Sequence, residues 1–195
     1  PGLVRKRLQL SWPGTDRVFD FERRVDSVSM SSPRCLFVGN EWKRKGLSRA
    51  IEIVEGFRMN EGCATLDVYG VDYQSLPEAF KEKSWIRICG WVDQIPWAHY
   101  EVLIHPARAE PFGMVISEAR AHGVAVLMSD QVGASDLDFA RVSVVPINAP
   151  LERWKSELGA LLGIGDRLTE VKWTWDNVVD LHVQTIYPAI KSETI

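Results

Sequence analysis

The sequence predicts an α/β protein with a doubly wound parallel sheet, Rossmann-like in its winding. Two observations carry that expectation. Short apolar runs of strand length recur from residue 34 onward, and segments with helical spacing fall between them. Strands that alternate with helices pair in parallel, because each crossover returns the chain to the same edge and covers a face of the sheet. Ligands of such sheets bind beyond the carboxyl ends of the strands, where the strand order reverses. Loops that follow strands are therefore the places to look for chemistry.

Residues 1–33 are polar and irregular, with turn signals at Trp12-Pro13-Gly14 and Ser31-Ser32-Pro33, and read as a leading segment or linker. Arg34–Val38 is the first expected strand and Gly39–Gly46 a polar loop. Leu47, Ala50, Ile51 and Val54 then mark one face of a helix. Thr65–Tyr69 reads as a strand ended by Gly70, Leu76–Lys83 as a short helix, and Trp85–Cys89 as a strand. Val102–His105 suits a buried strand. After it a helix is expected to open near Pro111, with Phe112, Val115, Ile116 and Ala119 on its buried face and Gly123 as its stop. Val124–Met128 and Val142–Val145 add two strands, with a helix start at Ser135-Asp136 between them. Beyond Pro150, Trp154, Leu158, Leu161 and Leu162 share a helical face, and a last helical pattern runs from Asp176 to about Ile190. The expected division is a linker over 1–33, a Rossmann-like domain over 34–165 and a C-terminal helical segment over 166–195.

Composition narrows the function classes. At 195 residues, with 46% hydrophobic and 25% charged residues, the chain is long enough for one full core. A net charge of −3, with Lys and Arg spread along the chain, argues against a nucleic-acid surface. No apolar run approaches the roughly 20 residues that span a bilayer. The chain opens at Pro1 without a signal-peptide pattern and reads as part of something longer. Cys35, Cys63 and Cys89 lack a Cys-x-x-Cys pair and are expected to be reduced, buried thiols of a cytoplasmic protein. No His, Cys and carboxylate cluster has metal-ligand spacing, so no metal site is expected.

The segment richest in chemistry is Glu110-Pro111-Phe112-Gly113-Met114-Val115-Ile116-Ser117-Glu118. A helix opening after a strand presents free N–H groups and a positive dipole end to an anion. Glu110 stands beside that end, able to accept hydrogen bonds from hydroxyls. Phosphate at the amides with hydroxyls at the carboxylates suggests a nucleotide sugar. A Glu near a helix start is also favourable by a few tenths of a kcal/mol with no function at all. The loop Asn40-Glu41-Trp42-Lys43-Arg44-Lys45 concentrates three cations just before a helix. It is either a solvated basic loop or a set of cations that offsets charge on a departing diphosphate. It has no P-loop spacing, and no Gly-x-Gly-x-x-Gly follows the first strand. Cys89-Gly90-Trp91-Val92 alone reads as a strand end and a turn with a packed Trp.

Taken together and in order, these segments resemble the C-terminal, donor-binding domain of the retaining glycosyltransferases of family 4, which have the GT-B architecture. Leu36-Phe37-Val38-Gly39 with Arg44-Lys45-Gly46-Leu47 is similar to the family's first strand and phosphate-contacting loop. Leu66-Asp67-Val68-Tyr69-Gly70 is similar to its second strand, and Ile88-Cys89-Gly90-Trp91-Val92 to the strand and turn that hold the base. His105-Pro106 through Glu118-Ala119 resembles the E-x7-E motif, and the wording of the basic loop is closest to lipopolysaccharide-core sugar transferases. The linker-like Pro13-Gly14-Thr15-Asp16 and the Trp175 to Tyr187 helix resemble the segments that join the family's two domains.

The resemblance implies transfer of a sugar, with retention, from a nucleotide diphosphate sugar to a glycan, lipid or polysaccharide acceptor, without metal or cofactor. Glu110 would hold sugar hydroxyls, while Lys45 and Arg44 neutralise the diphosphate. Phe112, Gly113, Met114 and Val115 would meet the sugar and diphosphate. Glu118 would bind the ribose, and Trp91 and Val92 the base. Asn40 stands where the family usually has Arg. The acceptor-binding N-terminal domain would lie outside this chain, and any membrane contact would come through that domain only. Two other classes are open, a sugar-nucleotide epimerase of related fold and a catalytically inactive binding module.

Overall fold

A computed structural model describes residues 32–163 apart from residue 138, together with 176, 179 and 180. The expected linker up to residue 31 and most of the last helical pattern lie outside the described residues. Six strands form one all-parallel sheet: β1 (Arg34–Val38), β2 (Thr65–Tyr69), β3 (Ile86–Gly90), β4 (Val102–His105), β5 (Ala125–Ser129) and β6 (Val142–Val145). Their order across the sheet is β3-β2-β1-β4-β5-β6. The order reverses between β1 and β4, which places the switch point beside the loops that follow those two strands.

Among the described residues four α-helices flank the sheet: α1 (Leu47–Glu61), α2 (Glu78–Lys81), α3 (Met114–Ala121) and α4 (Leu151–Gly163). One face of the sheet presents Cys35, Phe37, Leu66, Val68, Val102 and Ile104 to α1 and α4, through Leu47, Ala50, Ile51, Val54, Trp154, Leu158 and Leu161. The other face presents Leu36, Tyr69, Leu103, Val126 and Met128 to Val115, Ile116 and Ala119 of α3. Successive side chains of a strand point to opposite faces, so a parallel sheet covered on both sides reads as continuous apolar runs. The helical faces expected for α1 and α4 are those that are buried.

Four expectations are corrected. The helix expected to open near Pro111 starts at Met114, because Gly113 takes a left-handed conformation at φ 89° and breaks the helical path. Phe112 is therefore buried ahead of the helix rather than on it. The helix start at Ser135-Asp136 is only a four-residue 3-10 turn, Gly133–Asp136. The short helix expected over Leu76–Lys83 is a single turn, bounded on its N-terminal side by Pro77. Of the cysteines, Cys35 is buried and its thiol pKa is pushed up by that burial, Cys89 is half-buried, and Cys63 is exposed against expectation.

Candidate functional site at the strand-order reversal

The loops after β1 and β4 are held together by close backbone approach. A Cβ on Gly46 would lie 2.1 Å from the Pro106 carbonyl oxygen, and Gly46 sits at φ 82°, where an L side chain is strained. The Arg108 N–H donates to the Arg44 carbonyl at 2.9 Å, tying the two loops a second time. These contacts tie together the loops that lead into α1 and α3, whose N-termini reach the same rim from opposite faces of the sheet. Each helix begins behind a left-handed Gly with no side-chain cap and no acidic residue in its first turn. Both positive ends face the rim without a side-chain cap, the Leu47 N–H donating to the Trp42 carbonyl and the Ile116 N–H to the Gly113 carbonyl, each at 2.9 Å.

Glu110 is fixed in that gap by its backbone. Its N–H donates to the Gln131 carbonyl at 3.0 Å and its carbonyl accepts from the Gly133 N–H at 3.0 Å, bridging it to the loop after β5. Gly133 allows this approach, since a Cβ there would lie 2.0 Å from the Pro111 carbonyl oxygen. The Glu110 side chain is 12% exposed, and its Oε2 lies 3.3 Å from both Lys45 Nζ and an Arg44 guanidinium nitrogen. Arg44 is further held by Glu41 and by the Ala109 carbonyl. The three residues expected to be catalytic, from loops sixty-five residues apart, thus form one cluster.

The remaining expected residues divide. Asn40 is exposed on the same loop, its side-chain oxygen accepting from the Glu41 N–H at 2.9 Å. Met114 is 40% exposed at the first position of α3, whereas the Phe112 and Val115 side chains pack into the core. Phe112 and Val115 can therefore offer the rim only backbone groups. Glu118 is half-buried in the second turn of α3. Trp91 is 71% exposed and Val92 44%, so Trp91 is not the packed turn residue that its local sequence suggested. Both follow the last residue of β3 and so share the rim. A cavity of about 520 Å³ beside the end of β3 reaches Val92, Cys89 and Arg87 but not Trp91.

One residue at the site was not expected. His105, the last residue of β4, is wholly buried with Nε2 3.9 Å from Glu110 Oε2. Neither ring nitrogen has a hydrogen-bond partner. Burial, and then the Lys45 and Arg44 cations, lower its pKa to about 3, so the ring is neutral. In the sequence it closes the apolar run Val102-Leu103-Ile104 and opens the stretch that resembles the E-x7-E motif, with no role assigned to it.

The arrangement joins a carboxylate, two cations and two uncapped helix ends at the switch point of a parallel sheet. Such a site suits a ligand with both anionic and hydroxyl groups. Comparison with known families agrees in class. Residues 32–151 match the group 1 glycosyl transferases, and the chain belongs to that family. No match was found among curated proteins. Solved structures share the fold at low identity. WaaG, a glycosyltransferase involved in lipopolysaccharide biosynthesis, is 22% identical with a TM-score of 0.56, covering 80% of this chain and 43% of that one. The sucrose-phosphate synthase of Thermosynechococcus elongatus is 20% identical with a TM-score of 0.61, covering 86% and 47%. HepE of Anabaena, in complex with UDP and glucose, is 16% identical with a TM-score of 0.62, covering 85% and 50%. The chain therefore spans half or less of each of these proteins.

Proposed function

We propose that this chain is the donor-binding half of a retaining glycosyltransferase of GT-B architecture. It would bind a nucleotide diphosphate sugar for transfer of the sugar to a glycan, lipid or polysaccharide acceptor held by an N-terminal domain. The observation that carries the reading is the meeting of Lys45 and Arg44 with Glu110 at the β1–β4 switch point. When the bond between the anomeric carbon and the phosphate oxygen breaks, negative charge grows on the departing diphosphate. Preorganised cations and helix N-termini stabilise that charge most where water is excluded. Lys45, Arg44 and the first turns of α1 and α3 supply such positive charge from the protein, which supports transfer without a metal ion. Glu110 would accept hydrogen bonds from sugar hydroxyls, as the position of its carboxylate beside those cations supports. Glu118 would take the ribose hydroxyls. The exposed Trp91 and Val92 offer apolar surface to the base, and Met114 offers it to the sugar.

Calorimetry of the 195-residue chain in EDTA tests this reading against UDP, GDP and ADP and their glucose, mannose and N-acetylglucosamine derivatives. Binding of one base series, tighter with the sugar than without it, is the expected result. No sugar transfer is expected, because catalysis needs donor and acceptor held in register. Absence of binding across the panel would overturn the donor-site reading, and transfer by the chain alone would overturn the half-enzyme reading.

A further inference from the structure

We infer that His105 is the positioning residue for Glu110 in the sugar-bound state, replacing the cations that the donor's diphosphate draws away. The inference rests on the donor-site reading above. Strand alternation turns His105 to the α3 side of the sheet with Leu103, beneath the loop that carries Glu110. There its neutral ring has one N–H donor and one acceptor nitrogen, and both lack a partner. A buried polar group left unpaired is costly, so a wholly buried imidazole without a partner points to a contact made in another state of the site.

The geometry identifies that contact. Glu110 Oε2 is at 3.3 Å from Lys45 and from Arg44, and at 3.9 Å from His105 Nε2. The first two are ion pairs, while the third is about 1 Å too long for a hydrogen bond. A diphosphate at the rim competes with Glu110 for the two cations. As they turn toward it, a carboxylate with 12% exposure loses its counter-charges. Closing the gap to His105 gives Oε2 a donor in their place. That donor is neutral, so Glu110 keeps its full charge and accepts strongly from sugar hydroxyls through its other oxygen. A cationic residue at position 105 would instead compensate the carboxylate in every state and weaken its hold on the sugar.

The test compares Kd for the best-bound sugar nucleotide of the panel with Kd for its nucleoside diphosphate, in wild type, His105→Leu, His105→Gln, Glu110→Gln and the His105→Leu, Glu110→Gln double variant. His105→Leu should weaken sugar-nucleotide binding about tenfold or more, the scale of a lost hydrogen bond to a charged group. Nucleoside diphosphate binding should weaken as well, because its diphosphate draws off the same two cations. His105→Gln, which can place an N–H near the same point, should retain most of the wild-type affinity. In the Glu110→Gln background, His105→Leu should change neither constant, because a residue acting through Glu110 has nothing left to position. Unchanged binding of both ligands, or an undiminished loss in that background, would overturn the inference. Should a substitution at 105 unfold the chain, the ring nitrogen signals of wild-type His105 decide the matter by NMR. Nε2 should become hydrogen-bonded on adding either the sugar nucleotide or the nucleoside diphosphate, since both bring the diphosphate, and an unmoved signal refutes it. If wild type binds no nucleotide, the donor-site reading itself fails; if it binds but the pattern above is missing, only the role of His105 fails.

Discussion

Replacing Glu110 with Gln should tighten the binding of a nucleoside diphosphate that carries no sugar. Removing a functional group from a binding site usually weakens ligands, so the direction is a sharp test of the geometry. In the unliganded site, Glu110 Oε2 holds Lys45 at 3.3 Å, with exposures of 12% and 17%. At an effective dielectric of about 20, that pair attracts by about 5 kcal/mol before desolvation is counted. Desolvation of both partners offsets most of this. If about a quarter survives, near 1.3 kcal/mol, releasing Lys45 tightens diphosphate binding about tenfold. Arg44 is 37% exposed and shared with Glu41, so its pair with Glu110 is screened and is left out of that figure. Calorimetry at two salt concentrations reads the effect, which should shrink as ionic strength rises. The same variant should lose the additional affinity that the sugar confers. An unchanged or weakened diphosphate affinity would show that Glu110 does not compete for Lys45, and the exchange of partners would then be wrong.

Asn40→Arg should raise diphosphate affinity about tenfold, because Arg44, shared with Glu41 and Ala109, neutralises only part of the diphosphate's charge; equal calorimetric affinities would mean that Arg44 and Lys45 already fill the place of the missing cation. Gly46→Ala should destabilise the chain by about 2 kcal/mol or more, since left-handed strain of about 1–2 kcal/mol adds to a collision with the Pro106 carbonyl. Thermal unfolding should fall by about 4 °C or more, whereas Gly163→Ala, with open space around it, should hardly move it. Asp67 is buried on β2, where burial raises its pKa, but hydrogen bonds from Arg87, Tyr100 and Arg34 outweigh that and hold it below the usual value. The stability this confers is complete above the unfolded carboxyl value near 3.9 and fades as pH falls through the lower folded value. Asp67→Asn should therefore cost about 1–3 kcal/mol at neutral pH and flatten the loss of stability below about pH 4, as measured by urea unfolding across pH.

Much of the frame was legible because buried parallel strands announce themselves. Leu36-Phe37-Val38 and Leu103-Ile104 are apolar on both faces, and each is followed by a polar loop. The spacing of Leu47, Ala50, Ile51 and Val54 could satisfy only a helix on one side of a sheet. The start of α3 was misplaced for a local reason. Pro111 is a favoured helix opener, but the left-handed turn at Gly113 overrides it two residues later. That turn lets the Phe112 carbonyl accept from the Ala134 N–H at 2.8 Å, a long-range bond with no signature in the segment itself. Trp91 was misread for the converse reason. A Trp beside a Gly is usually packed, and only the end of β3 at the sheet edge leaves it in the open.

His105 shows where sequence reasoning stops. A histidine ending an apolar run is explained adequately by a satisfied core position, and its strand placement was read correctly. What distinguishes it is relational. The strand order brings β1 beside β4, Gly46 lets their loops touch, and only then do Lys45, Arg44 and Glu110 gather above the ring. Two of those groups are cations, so the ring beneath them is held neutral by its neighbours as well as by burial. A site that must first pair its own carboxylate and then release it to a sugar needs a neutral partner within about an ångström of hydrogen-bond reach. At 3.9 Å from Glu110, with both nitrogens unpaired, His105 meets that need, and cationic Lys45 and Arg44 do not.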